Sequence, residues 1–221
     1  MGIEATMVCE GIRRAYHTDE EVVWALWDVD AVAESGQITV LAGPSGSGKS
    51  TLLRVIAGID RPDTGRVEVA GNEMTAMSAG ARRRFRSRHM GYLFQDPAAN
   101  LLSYLTVWEH LVMAGKIRGA TPTRDLLAHL EIEDLADEHP VRLSAGQQQR
   151  AALAAAMVGD PDVILADEPT AELDARSAHL AVTALARMRD LGATLIVTSH
   201  DPEVLGVGDR LIRLEHGAVK G

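Results

Sequence analysis

Gly43, Pro44, Ser45, Gly46, Ser47, Gly48, Lys49 and Ser50 are consecutive, and their types and order suit them to hold a polyphosphate. They fit G-x-x-x-x-G-K-[ST], with Thr51 continuing into an apolar helical stretch. Glycines let the backbone curl so that several N–H groups converge on phosphate oxygens, and a helix opening there adds the positive end of its dipole. Lys49 would reach the β- and γ-phosphates, and the Ser50 hydroxyl would ligate Mg²⁺. A second group, Asp167 and Glu168, ends the apolar run that starts after Asp162. In phosphoryl transfer the first of two such carboxylates holds the metal, often through water, and the second polarises the attacking water. Acids after a strand also arise simply as helix N-termini; Pro169 directly behind and the phosphate loop upstream favour the catalytic reading. The two groups together predict binding of a nucleoside triphosphate with Mg²⁺.

Such groups need rigid elements behind them. Apolar runs of strand length recur at Ile38–Ala42, 90–94, 163–166 and 194–198, each bounded by Gly, Pro or Asp. Runs of this kind fit strands buried on both faces of a largely parallel sheet. Gln95 and His200 follow two of them, and ligands of open α/β sheets bind at such strand ends. A stretch over about 106–139 reads as helical, with its clearest amphipathic piece at 123–130. The N-terminal part, through Val8, Val22, Val23, Trp24, Val67 and Val69, alternates like an antiparallel sheet, and 210–217 reads as a strand ending in a turn. The expected fold class is α/β: a P-loop NTPase core with a mostly parallel sheet, an N-terminal antiparallel β subdomain and a helical insertion at about 96–158. All of it falls within one domain of residues 1–221.

Leu143-Ser144-Ala145-Gly146-Gln147-Gln148-Gln149-Arg150 stands before the Asp167–Glu168 strand. With this segment the chain resembles the ATP-binding cassette (ABC) ATPases, whose signature reads Leu-Ser-Gly-Gly-Gln, and the resemblance runs the whole length. Tyr16 matches the aromatic residue that stacks on adenine, Gln95 the Q-loop glutamine, Glu172-Leu173-Asp174 the D-loop and His200 the switch histidine. Taken singly, Tyr16 could be an ordinary half-buried tyrosine, and Gln95 or His200 an ordinary loop residue. The resemblance implies an ATPase with Mg²⁺ on Ser50 and Gln95, and Asp167 in its outer shell. Lys49 and the loop amides would neutralise phosphate charge, Glu168 would orient and deprotonate water, and His200 would hold the γ-phosphate. Ser144, Ala145, Gly146 and Gln147 would serve the ATP of the other subunit, from a helix beginning near Gln147. Two ATPs would then join a head-to-tail dimer with a second copy or a homologous cassette.

Two positions depart from the family pattern. Ala145 replaces a signature glycine, which costs roughly 1–2 kcal/mol if the position needs positive φ and almost nothing if it is helical. Ala155 stands where many relatives carry arginine. The stretch 96–109 and the sequence 164–170 look like the subgroup serving lipoprotein release and macrolide export. That likeness implies a membrane permease contacting about 96–111 and a place on the cytoplasmic face of the membrane, as a peripheral cytoplasmic protein. The alternative is an ATP-driven switch for a non-transporting membrane regulator of cell wall or division.

Composition narrows the partners. A net charge of −9 disfavours nucleic acid. Aromatics are 4% of the chain against 46% hydrophobic residues in all, so Ala, Val, Leu and Ile must build the core. The single Cys9 excludes an internal disulfide and suits a reducing compartment. No apolar run reaches the roughly 18–20 residues of a membrane span, and the first residues lack a signal-peptide pattern, so the chain is expected in the cytosol. The run Arg82, Arg83, Arg84, Arg86 and Arg88 reads either as a solvated helix face or as a face toward anionic lipid or an acidic partner.

Overall fold

A computed structural model describes residues 5–17 and 21–220. Strands β1 (Ala5–His17) and β2 (Val22–Glu34) pair antiparallel; β3 (Ile38–Ala42) then leads into α1 (Lys49–Ile56). Next come β4 (Thr64–Val69), β5 (Asn72–Glu73), α2 (Ala79–His89) and β6 (Met90–Leu93). Helices α3 (Val107–Arg118), α4 (Asp125–His129) and α5 (Ala145–Met157) separate β6 from β7 (Val163–Asp167). The described chain ends with α6 (Ala175–Asp190), β8 (Leu195–Ser199), α7 (Pro202–Val207), β9 (Arg210–Glu215) and β10 (Ala218–Lys220).

Two sheets result. The first, in order β2-β1-β4-β5, is antiparallel throughout. The second, in order β10-β9-β3-β8-β7-β6, is parallel except for β10 at its edge. Strands β3 and β8 are buried at every position, the burial expected where both faces are covered.

Alternation along the strands divides the core. In β7, Val163 and Leu165 face the cluster built from the antiparallel sheet and α1, while Ile164 and Ala166 face the cluster built from α3, α5, α6 and α7. The parallel sheet is therefore the middle of three layers. Helix α5 enters the second of these clusters with Ala151, Ala152, Ala154 and Ala156 buried, small residues that suit a close approach.

The helical stretch expected over 106–139 is broken into pieces. Thr106 and Glu109 form a capping box that starts α3, and Gly119, with φ +74°, ends it in a left-handed C-cap. Pro122 follows within the turn, so only the five residues of α4 are helical in the amphipathic piece at 123–130. Strand β8 lies one residue later than expected. Thr194 stays outside it, its hydroxyl accepting from Gly36 N–H at 3.0 Å. Strand β6 ends at Leu93, because Phe94 N–H is taken by the Asn100 side chain at 2.7 Å.

Candidate functional site

The glycine loop runs from the end of β3 to the start of α1. A Cβ on Gly43 would run into the Leu214 carbonyl, and one on Gly48 into the Ala25 carbonyl; Gly48 also sits at φ +100°. Only glycine lets the loop pass this close to β9 and β2. Helix α1 begins at Lys49, whose side chain is 5% exposed. Its Nζ donates to the Gly43 carbonyl at 2.8 Å and to the Pro44 carbonyl at 3.0 Å, and lies 3.2 Å from Glu168 Oε1.

Two carboxylates close β7. Asp167 Oδ1 accepts from the Ser50 hydroxyl at 2.8 Å and from the Thr198 hydroxyl at 2.6 Å. Glu168 takes a left-handed backbone, φ +43°, and its N–H donates to Thr198 Oγ1 at 2.8 Å. A non-glycine residue in that region is held there by its surroundings, here by this hydrogen bond from β8. His200 Nδ1 lies 3.2 Å from Glu168 Oε2; a carboxylate only accepts, so that nitrogen carries the proton. Thr198 thus holds the Asp167 carboxylate and the Glu168 backbone from a fully buried position. The sequence reading missed it, since a threonine within a Val- and Ile-rich strand carries no signal of its own.

A cavity of about 280 Å³ gathers Ser45, Gly46, Gly48, Lys49, Ser50, Thr51, Gln95, Glu168 and His200, with Ala25 and Ala171 on its wall. Asp167 reaches this group through Ser50. Tyr16 is not among the lining residues. Its hydroxyl donates to Asp60 at 3.1 Å, and the Arg14 guanidinium lies 5.0 Å from its ring centroid. Among the described residues no cluster of three or more His, Cys, Asp or Glu could cage a metal. The donors present are the Ser50 hydroxyl, the Asp167 carboxylate and the Gln95 amide. Such a sparse, all-oxygen set suits Mg²⁺, which keeps waters and takes substrate phosphates instead of a full protein cage.

The signature segment is also absent from that cavity's lining. Its helix starts at Ala145, two residues earlier than expected, because Ser144 is the N-cap. Ser144 Oγ accepts from Gln147 N–H at 3.3 Å, and Gln147 Oε1 accepts from Ser144 N–H at 2.8 Å, a complete capping box. Ala145 lies in the first helical turn with negative φ, so its Cβ brings no strain. Gly146 is different. A Cβ there would lie 2.7 Å from Ser177 Cβ, so α6 leaves room only for glycine. Asp174 caps α6 through Ser177 N–H at 3.0 Å and Ser177 Oγ at 2.7 Å; those bonds hold its carboxyl below the usual range. At the far end of α5, Arg118 donates to the carbonyls of Ala155, Ala156, Val158 and Met90. The guanidinium that secures this helix therefore comes from α3, while Ala155 offers it a carbonyl and packs its methyl against the core.

A second, larger groove of about 690 Å³ lies beside the loop that follows Gln95. Phe94, Met113 and Ile117, all well exposed, give it an apolar floor, and Arg54, Arg83, Arg86 and Arg118 line it. Of the arginine run, Arg83 and Arg86 line this groove, while Arg84 and Arg88 are exposed. Arg86 reaches back to the carbonyls of Ala57 and Gly58, and burial, with Arg82 and Arg83 nearby, lowers its pKa.

The family model described as ABC transporter matches residues 26–171. A macrolide export ATP-binding/permease protein MacB of Rhodopseudomonas palustris (strain BisB18) is 38% identical over 221 residues, covering 97% of this chain and 33% of that protein. The MacB of Escherichia coli (strain K12) is 36% identical over 214 residues, covering 94% and 33%. The chain thus spans about a third of the length of these relatives. Among solved structures, the dimeric ATP-binding cassette MJ0796 in a post-hydrolysis state bound to ADP and Pi superposes with a TM-score of 0.86. It shares 31% identity, over 97% of both chains. With a family model spanning most of its length and whole-chain likeness to a solved cassette, this chain belongs to the ABC transporter family, as an ATP-binding, ATP-hydrolysing cassette.

Proposed function

We propose that the cassette hydrolyses ATP as a head-to-tail dimer, with a second copy of itself or a homologous cassette, and powers a membrane permease of the export or envelope-remodelling type. One observation carries the dimer. Lys49, Gln95, Glu168 and His200 converge on one cavity, while the capped helix that starts at Ala145 is not part of its wall. The first turn of that helix would then meet the γ-phosphate of another copy, where its N-terminal N–H groups and dipole favour an anion. The solved cassette with the whole-chain likeness is itself a dimer.

The chemistry follows from charge and position. Lys49 would leave Glu168 and the loop carbonyls for the β- and γ-oxygens, and Glu168, released, would orient water and take its proton. His200 would turn its Nδ1–H to the γ-phosphate, and the products are ADP and phosphate. Ser50 and Gln95 would hold Mg²⁺, with Asp167 in its outer shell, and the ion would supply neutralisation of phosphate charge. Tyr16 is proposed to stack on adenine after leaving Asp60. The groove beside the segment 96–111 would receive a cytoplasmic segment of the permease, which places the cassette peripherally on the cytoplasmic face of the membrane, with the helical part at about 96–158 as its docking subdomain. The relatives named for macrolide export support the export reading.

The test is capture of partners from native membranes with the Glu168→Gln protein and ATP. A polytopic permease in the eluate is expected. A trapped dimer with no membrane protein attached would overturn the permease and leave a cytosolic ATP switch.

A further inference from the structure

We propose that Glu172 is a positioning residue that sets the amide of Gln95 with its oxygen toward the phosphate cavity. The inference rests on the reading of Gln95 as a Mg²⁺ ligand and adds the group that makes its amide fit for that role.

Gln95 lies in the loop after β6, between Phe94 and Asp96, whose backbone groups are held by the Asn100 side chain. Among the described residues its side chain makes one hydrogen bond, from Nε2 to Glu172 Oε1 at 3.3 Å. An amide presents a donor end and an acceptor end, and only its oxygen can bind a hard cation. A carboxylate accepts only, so it tolerates the NH₂ end and repels the carbonyl end. Which end of the amide faces Glu172 is therefore decided by chemistry. The oxygen is left without a partner in a residue that lines the cavity with Lys49, Ser50 and Glu168.

Glu172 is itself held from both sides. Ala171 N–H donates to the Glu168 carbonyl at 3.1 Å, and Leu173 N–H to the Thr170 carbonyl at 3.2 Å. The Thr170 hydroxyl donates to Asp201 at 2.9 Å, and Asp174 begins α6. The carboxylate thus stands on a short folded bridge between β7 and α6. Among the described residues it forms no ion pair with Lys, Arg or His, so its one visible use is the amide of Gln95.

The experiment measures equilibrium binding of a hydrolysis-resistant ATP analogue with Mg²⁺ and with EDTA. The proteins are wild type, Glu172→Ala, Glu172→Gln, Gln95→Ala and the Gln95→Ala/Glu172→Ala double variant, each first shown to melt like wild type. The readout is the ratio of the two affinities, which isolates the metal's contribution. Removing partners that orient metal ligands typically weakens metal binding by roughly 10–100-fold, so Glu172→Ala is expected to lower the ratio by about ten-fold. Glu172→Gln, which can meet either end of the amide, should fall between. In the Gln95→Ala background Glu172→Ala should change nothing further. An unchanged ratio in Glu172→Ala, or an equal fall in the Gln95→Ala background, would overturn the proposal. If Gln95→Ala leaves the ratio intact, Gln95 is no ligand and both ideas fail. If Gln95→Ala lowers it and Glu172→Ala does not, only the role of Glu172 fails.

Discussion

Lys49 and Glu168 neutralise each other across 3.2 Å in a nearly closed setting, so neither can act until the other is given up. On the proposed mechanism a nucleotide would supply the exchange: phosphate oxygens for Lys49, and water for Glu168. Glu168→Gln keeps the size and removes the proposed base, so turnover should fall by roughly 10²–10⁴-fold, the usual worth of a positioned proton acceptor. ATP binding should persist and a dimer should accumulate, seen by phosphate release and light scattering; turnover near wild type would remove Glu168 from the chemistry. Thr198→Val tests the support behind it. The variant leaves Glu168 N–H with only the Thr198 carbonyl and Asp167 with only the Ser50 hydroxyl, and losing these two hydrogen bonds should cost about 1–3 kcal/mol in urea unfolding. The loop and the carboxylate pair were legible in the sequence because few other roles need those residues in that order. Thr198 and Glu172 were not legible as partners of these groups, because their meaning lies in contacts between strands and loops far apart in the chain.

The helices show why a signature can tolerate one change and not its neighbour. Ala145 is helical, whereas Gly146 lies against Ser177. Ala145→Gly should therefore destabilise by roughly 0.5–1 kcal/mol with turnover unchanged, and Gly146→Ala should cost about 1–3 kcal/mol by overpacking; denaturant midpoints check both. The loop before α3 depends on His110, which accepts from Leu102 N–H at Nε2 (2.7 Å) and donates from Nδ1 to the Thr106 carbonyl (2.7 Å). Burial is the largest cause lowering its pKa from 6.5, and His139 adds to it, while the Thr106 carbonyl and Glu109 oppose. The folded protein then binds fewer protons than the unfolded chain just below pH 6.5, so this stability is whole above that value and lost as pH falls. Melting temperature should drop more steeply below pH 6.5 in wild type than in His110→Gln; parallel curves would exclude His110 as the cause. Periodicity located the core strands to within a residue. It missed the break of the helical stretch, where Gly119 and Pro122 override an amphipathic pattern.

At the scale of the whole molecule, the local arginine groove was hidden within an acidic total charge. Arg54 from α1, Arg83 and Arg86 from α2 and Arg118 from α3 meet only after folding. The proposed dimer is hidden in the same way, because a single chain shows the signature turn and the phosphate cavity as separate features. Their separation makes a decisive test possible. If each site takes its loop from one copy and its capped helix from the other, two differently damaged proteins can repair one site between them. Lys49→Ala removes the cation from the cavity. Ser144→Asp keeps a good N-cap, since aspartate caps as well as serine, but puts a carboxylate where the partner's γ-phosphate must sit. Each protein alone should be almost inactive. In a mixed dimer, the loop of the Ser144→Asp copy meets the helix of the Lys49→Ala copy, and both are intact. Random pairing makes half the dimers mixed, each with one good site of two, so an equimolar mixture should recover about a quarter of wild-type turnover if the sites act independently. Tight coupling between the two sites would reduce that figure. If the mixture shows only the average of the two inactive proteins while mixed dimers form, loop and helix serve the same copy and the head-to-tail arrangement is wrong.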